Sequence, residues 1–312
     1  MTTLRIHDGR VHLRHITDFV EVMFPLRIHL PVAFLWAWSV ESLTAVIVGG
    51  SDWKPLPGSV LRGITVAATL LFMRMIDEQK DLGYDRVHHP DRPLVAGAVS
   101  PGELRAAMAM LGVPILIVNG LVSAASGGII ALVLSYGLGL WWLEHRVALV
   151  RDNMLIELAV ALPIQAALNG YLIVSSIGTA AVEHAGAYLG LMGYYSLLFL
   201  HVELARKTAT GGREKRLYTN FLGANGSGAA TLLSALAAIA VYVVLVRPWQ
   251  FSGGAAVLAT VPIVAGGLPL LGALRYWAGD GAPIERRWPV GTALGFVGIC
   301  CLTSVALGAA YS

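Results

Sequence analysis

Nine stretches of this chain are each long and apolar enough to cross a bilayer, and they leave little room for anything else. A spanning helix needs roughly 20 apolar residues. That ruler marks residues 25–48, 59–77, 103–124, 128–146, 154–175, 186–204, 225–246, 254–275 and 290–311. The composition agrees: 56% of the residues are hydrophobic and 13% charged, against about 25% charged in an ordinary soluble domain. The 35 glycines suit helices that approach each other closely in lipid. The expected fold is therefore all-α, one polytopic membrane domain over residues 1–312. A net charge of only +3, spread along the chain, gives no reason to expect a nucleic-acid partner. Cys300 and Cys301 are adjacent within an apolar run, so no disulfide framework is expected. The first 20 or so residues are mixed and polar, and no secretory signal peptide is expected. Lysine and arginine set the orientation. With the N-terminus inside, Lys54 and Arg247 alone fall in outer loops, while the other loop cations, from Arg5 to Arg287, fall inside. The expected location is thus a bacterial inner membrane, with residues 1–24 and the loops 78–102 and 205–224 cytoplasmic.

The first of those loops carries the densest chemistry. Residues Met73 to Ser100 read MRMIDEQKDLGYDRVHHPDRPLVAGAVS, placing Asp77, Glu78, Asp81 and Asp85 directly after an apolar span. Asp77, Asp81 and Asp85 are four apart, which on a helix places them on one face. Like charges so arranged repel unless a cation lies between them, and oxygen-only ligands suit a hard divalent ion such as Mg²⁺, which bridges readily to phosphate. The spacing points to a metal–diphosphate site. A solvated helix end, with Asp81 near Lys80 and Arg86, is the plainer alternative.

A second constellation lies in HVELARKTATGGREKRLYTN, residues 201–220. Glu203 could add a metal ligand, and Arg206 and Lys207 could clamp diphosphate oxygens, with Arg213, Lys215, Arg216, Tyr218 and Asn220 as further contacts. The alternative is a positive-inside anchor with a Glu203–Lys207 pair at i,i+4. Inside the spans, Gln165 and Asn169 are four apart, with Glu157 nearer the inner end. They either line a chamber or join helices. Tyr194, Tyr195, Trp141 and Trp142 are candidates for a chamber wall, where ring faces stabilise a carbocation. Packing or an interfacial belt is the alternative for them.

The run from Asp77 to Asp85, followed by Arg92-Pro93-Leu94 and Gly97, resembles the first signature of the UbiA superfamily of intramembrane prenyltransferases. That signature is usually written NDxxDxxxD with a downstream RP. Here Asp77 and Glu78 stand where the family has Asn-Asp, which keeps oxygen ligands at both positions. Nine spans fit the family as well, so the resemblance covers nearly the whole chain. The second motif departs: the family has a second aspartate-rich run after the sixth helix, and this chain has Glu203 followed by Arg206 and Lys207. The resemblance implies a bundle around a central chamber that binds an allylic isoprenoid diphosphate. Mg²⁺ would be held by Asp77, Glu78, Asp81, Asp85 and Glu203; Asp77, Asp81 and Arg92 would be catalytic. Arg92, Arg206, Lys207 and Tyr218 would bind the diphosphate, while Gln165, Asn169, Tyr194 and Tyr195 would line the chamber. It implies prenyl transfer to an aromatic or lipid-like acceptor. The alternative within the superfamily is a membrane terpene cyclase; outside it, a transporter with its site at the midplane.

Overall fold

The computed structural model describes residues 2–48, 53–177, 184–210, 216–278 and 286–310, with side chains from residue 12 onward. Among them, nine helices are long and apolar enough to cross a membrane. They coincide with the nine predicted stretches, shifted by a few residues at most ends. The chain groups into two compact units, one of residues 1–34 and 60–148, the other of residues 35–59 and 149–312.

The first unit holds α1 (Thr2–Met23), the start of α2 (Leu26–Val48), most of α3 (Pro57–Lys80), the short α4 (Leu82–His88), α5 (Pro101–Val122) and α6 (Ala124–Arg146). α1 occupies the mixed, polar N-terminal segment, which precedes the first predicted span. It is a helix that buries Phe19 and closes against α5. α5 starts at a capping box: the Ser100 hydroxyl accepts from the Glu103 N–H while the Glu103 carboxylate accepts from the Ser100 N–H, with Pro101 in the first turn. Ser123 ends α5 and opens α6, so the two helices form a hairpin joined by one residue. Their axes approach closely at Gly127, where an added Cβ would stand 2.7 Å from the Gly120 Cα. Backbone cannot give way as a side chain does, and packing rather than water exclusion holds helices together in lipid. Gly127→Leu is therefore expected to destabilise the protein by about 1–3 kcal/mol or more. The check is the thermal unfolding midpoint in detergent, compared with Gly128→Leu, where an added Cβ meets open space.

The second unit holds the rest of α2, the first turn of α3, nearly all of α7 (Ala148–Asp152), α8 (Met154–Ile177), α9 (Ala185–Arg206), α10 (Thr219–Val246), α11 (Gly253–Ala265), α12 (Gly267–Ala278) and α13 (Val290–Ala310). The Asn153 side chain accepts from the backbone N–H of Leu155 and Ile156 and so starts α8. α9 packs chiefly along α10, and α11 along α13. Buried polar side chains stitch this unit: Thr208 Oγ1 lies 2.6 Å from Ser227 Oγ and 3.1 Å from Thr231 Oγ1, and His201 Nδ1 donates to the Thr231 carbonyl at 2.8 Å. The start of the second loop is pinned to residues 286–288 by Thr210 N–H to Arg286 O at 2.7 Å and Trp288 N–H to Thr208 O at 2.9 Å.

Candidate active site

The first acidic cluster grows out of the end of α3. Asp77 and Glu78 occupy its last turn, Asp81 interrupts the helix, and Asp85 sits in α4. The break is slight, because the Asp81 N–H still reaches the Asp77 carbonyl and the Asp85 N–H the Asp81 carbonyl, both at 2.9 Å. The expectation of one acidic face over Asp77, Asp81 and Asp85 needs revision. Side-chain exposure is 48% at Asp77 but 1% at Glu78 and 2% at Asp85. Seven positions bring a helix back to within about 20° of its starting direction, so Glu78 and Asp85 form the inward pair.

Arg92 joins that pair. Its Nη1 donates to Asp85 Oδ2 at 2.5 Å and to Glu78 Oε1 at 3.3 Å. Arg74, one turn before Glu78, adds an ion pair of 2.6 Å to the same Glu78 oxygen. Two buried carboxylates are thus offset by two guanidiniums, an arrangement in which removal of either charge type leaves the other uncompensated. Arg92 is positioned by its own loop: the Ala96 N–H bonds the Arg92 carbonyl at 2.8 Å, the Ala98 N–H bonds the Pro93 carbonyl at 2.9 Å, and Pro93 and Leu94 are buried. The loop turns at Gly97, whose φ of +76° lies in the left-handed region that suits glycine. Asp77 and Asp81 remain half-buried. Lys80 lies 3.7 Å from Asp77 Oδ1 and 3.2 Å from Oε1 of Glu144, a buried residue of α6.

The second cluster belongs to the other unit. Glu203, in the last turn of α9, is 14% exposed; Lys207 Nζ meets its Oε1 at 2.7 Å and Arg206 Nη1 its Oε2 at 3.5 Å. The Tyr218 hydroxyl donates to Glu203 Oε1 at 3.4 Å, and Lys207 Nζ stands 5.7 Å from the centre of the Tyr218 ring. Tyr218 is buried with Met154 and Leu204. Burial, and then the negative charges of Glu203 and Glu157, push its phenol well above the usual tyrosine range, so it stays a neutral donor at every physiological pH. Arg213 and Lys215 lie outside the described residues.

The expected chamber residues are in the interior of the second unit. Asn169 is fully buried; its Oδ1 accepts from Trp36 Nε1 at 3.0 Å and from Gln165 Nε2 at 3.4 Å, and its Nδ2 donates to the Ser196 hydroxyl at 3.4 Å. Tyr195 lies 2.7 Å from the Ser39 hydroxyl, and the Tyr194 ring sits edge-on to it with centroids 4.9 Å apart. Trp142 is 62% exposed under the Arg146 guanidinium, the position of a belt residue rather than of a chamber wall.

Several residues went unnoticed in the sequence. Arg74 offsets the charge of Glu78, and Glu144 is a further carboxylate that holds Lys80; each sits at the end of an apolar span, where snorkelling or a helix-end charge is the ordinary expectation. Glu41, 2% exposed within α2, accepts from Ser59 Oγ at 2.6 Å and ties the first turn of α3 to α2. An ionisable residue inside an apolar span was the available signal for it.

This architecture has close counterparts among solved structures. A UbiA homologue from Aeropyrum pernix K1 superposes with a TM-score of 0.60 at 17% identity, covering 89% of this chain and 96% of that one. A digeranylgeranylglyceryl phosphate synthase superposes with a TM-score of 0.63 at 12% identity, covering 95% and 99%. A UbiA homologue from Archaeoglobus fulgidus, bound to DMAPP and Mg²⁺, gives 0.58 at 15% identity over 91% and 97%.

The chain has the UbiA fold.

It is a multi-pass integral membrane protein. No family model matches its sequence, and no curated protein does. The UbiA architecture is thus carried by helix placement at identities where sequence comparison alone is silent.

Proposed function

We propose that this chain is a divergent member of the UbiA superfamily, a Mg²⁺-dependent intramembrane prenyltransferase. It ionises an allylic isoprenoid diphosphate and passes the prenyl group to an aromatic or lipid-like acceptor, releasing diphosphate. One observation carries the reading: on a UbiA fold, Glu78 and Asp85 hold Arg92 beside Asp77 and Asp81 at the end of a membrane-spanning helix. The Archaeoglobus fulgidus homologue, bound in separate structures to DMAPP or GPP with Mg²⁺, supports the substrate and metal classes.

The side chains fit the ion. Asp77 and Asp81 are half-buried carboxylates one turn apart and offer oxygen only, the chemistry Mg²⁺ prefers. They would hold it, with Glu78 and Asp85 as further oxygen donors. When bound, Mg²⁺ supplies the positive charge that offsets negative charge growing on the departing diphosphate. Glu78 and Asp85 orient Arg92. Both carboxylates engage the same nitrogen, Nη1, so its remaining donors are not spent on them and suit a phosphate oxygen. In the second unit, Arg206 and Lys207 contact diphosphate oxygens, with Glu203 and Tyr218 fixing the ammonium of Lys207. Tyr194 and Tyr195 offer ring faces to the allylic cation, and Asn169 and Gln165 fix the helices behind them. The distribution of lysine and arginine supports a cytoplasmic mouth.

The deciding experiment uses purified protein in nanodiscs with Mg²⁺ and allylic diphosphates of increasing length, with and without an aromatic or lipid acceptor. Acceptor-dependent diphosphate release, abolished by EDTA and restored by Mg²⁺, is expected. Release of cyclic hydrocarbons without any acceptor would make the protein a terpene cyclase, and silence under both conditions would overturn the enzymatic reading. In the active system, Lys207→Ala is expected to raise the KM for the diphosphate roughly tenfold, the loss of one charge-assisted hydrogen bond. An unchanged KM would leave Lys207 as a topological anchor.

A further inference from the structure

His12 and His15 lie three apart on α1, so both rings project from the same face of the helix. They meet Glu103 in the first turn of α5. The two oxygens of that carboxylate divide their work. Oε2 accepts from the Ser100 N–H at 2.8 Å and from the Ser100 hydroxyl at 2.7 Å, completing the helix cap. Oε1 stands 2.5 Å from His12 Nδ1 and 2.8 Å from His15 Nδ1. Two imidazole nitrogens and one carboxylate oxygen therefore converge, all within 4.8 Å of one another. The Glu103 side chain is 13% exposed and those of His15 and His12 are 39% and 62% exposed, so the carboxylate is fixed while the rings are reachable.

Hydrogen bonds that hold a carboxylate from behind are what orients the ligands of metal sites. Two imidazoles with one carboxylate form a donor set used for Zn²⁺ with one position open. It is a poor set for Mg²⁺, which prefers an all-oxygen shell. We propose that His12, His15 and Glu103 bind one borderline divalent metal ion of the Zn²⁺ class through the two Nδ1 atoms and Oε1, with water at the fourth position. Ligand atoms around a four-coordinate ion with bonds near 2.0–2.1 Å stand about 3.3 Å apart. The two short distances to Oε1 must therefore widen by under an ångström, which rotation of the exposed rings supplies. On binding, each ring takes the neutral tautomer protonated at Nε2: the proton that faces Oε1 passes through water to Nε2, or to solvent where Nε2 already carries one. Occupancy would clamp α1 to the start of α5, and through Ser100 to the end of the loop that carries Arg92. The site shares no residue with the acidic cluster.

The test uses full-length protein without an affinity tag, stripped of metal and titrated with Co²⁺ and then Zn²⁺. Co²⁺ is expected to give the visible band of a four-coordinate site, and Zn²⁺ to displace it at one ion per chain. Both signals should vanish in His12→Ala/His15→Ala. They should vanish too in Glu103→Gln, whose amide oxygen can still accept from Ser100 and so preserve the helix cap. They should persist in Asp77→Asn/Asp81→Asn, which separates this site from the proposed catalytic one. Zn²⁺ should also slow tryptic cleavage after Arg14 roughly tenfold in the parent protein and not in the variants, because cleavage follows the population of undocked helix. No Co²⁺ band in the parent protein, or an undiminished band in both the histidine and Glu103 variants, would overturn the proposal.

Discussion

Replacing Asp81 with alanine is expected to lower diphosphate release by about 100-fold or more, roughly 2.7 kcal/mol of transition-state stabilisation. The protein should still insert and fold. Asp81 stands at the break between α3 and α4, and as the cap of α4 its side chain makes no capping hydrogen bond. Truncation there removes a proposed ligand position without removing a cap, so the stability cost should stay within about 1 kcal/mol. Asp81→Asn separates charge from shape: it should lose most of the activity and require more Mg²⁺ for what remains. The measurement is a Mg²⁺ titration of pyrophosphate release, run beside thermal unfolding of each variant. Near-normal turnover with an unchanged Mg²⁺ requirement would remove Asp81 from the metal site. The same substitution at Asp77 should behave alike, except that Asp77 also faces Lys80, whose second partner is Glu144.

Much of the architecture was legible because lipid imposes a length on every span. Residues 25–48 and 290–311 differ from α2 and α13 by a single residue at an end. Legibility failed where packing, rather than apolar length, decides. α1 mixes charges with Ile16, Phe19 and Val20, and no window in it reaches spanning length; only its buried Phe19 shows what organises it. The main helix of α10 starts close to the predicted residue 225, but a helical turn precedes it from Thr219, set off by Gly223 at φ +69° and held by Thr219 Oγ1 to the Ala209 carbonyl and the Phe221 N–H to the Tyr218 carbonyl, anchors invisible to hydropathy. The predicted span 254–275 breaks at Gly266 into α11 and α12. At the candidate site, the carboxylates and Arg92 were legible as residue types. The division of labour was not. Counting by fours highlights Asp77, Asp81 and Asp85, whereas counting by sevens pairs Glu78 with Asp85, and only the returning loop shows that Arg92 chooses that pair. Tyr218 reaches Glu203 across a loop, and such contacts leave no periodic trace.

Arg92→Ala should be the most destabilising substitution in the first unit, at about 3–5 kcal/mol, the usual cost of leaving a buried charge without its partner. The reasoning rests on what remains after truncation. Glu78 keeps Arg74 at 2.6 Å, but Asp85, 2% exposed, loses its 2.5 Å partner. Asp85→Asn in the same chain removes the stranded charge, so the double variant should recover most of the lost stability. Activity should not return, because the guanidinium proposed to bind the diphosphate is still missing. Arg92→Lys divides the two roles differently. The parent holds both carboxylates through the single nitrogen Nη1, and one ammonium can do the same. Its stability should lie close to that of the parent, while the KM rises about tenfold for want of the planar fork that suits phosphate. Thermal unfolding and steady-state kinetics on these three variants separate an arginine that only neutralises acids from one that also binds substrate. If Arg92→Lys keeps both stability and KM, Arg92 is structural alone, and the diphosphate must be held by other cations.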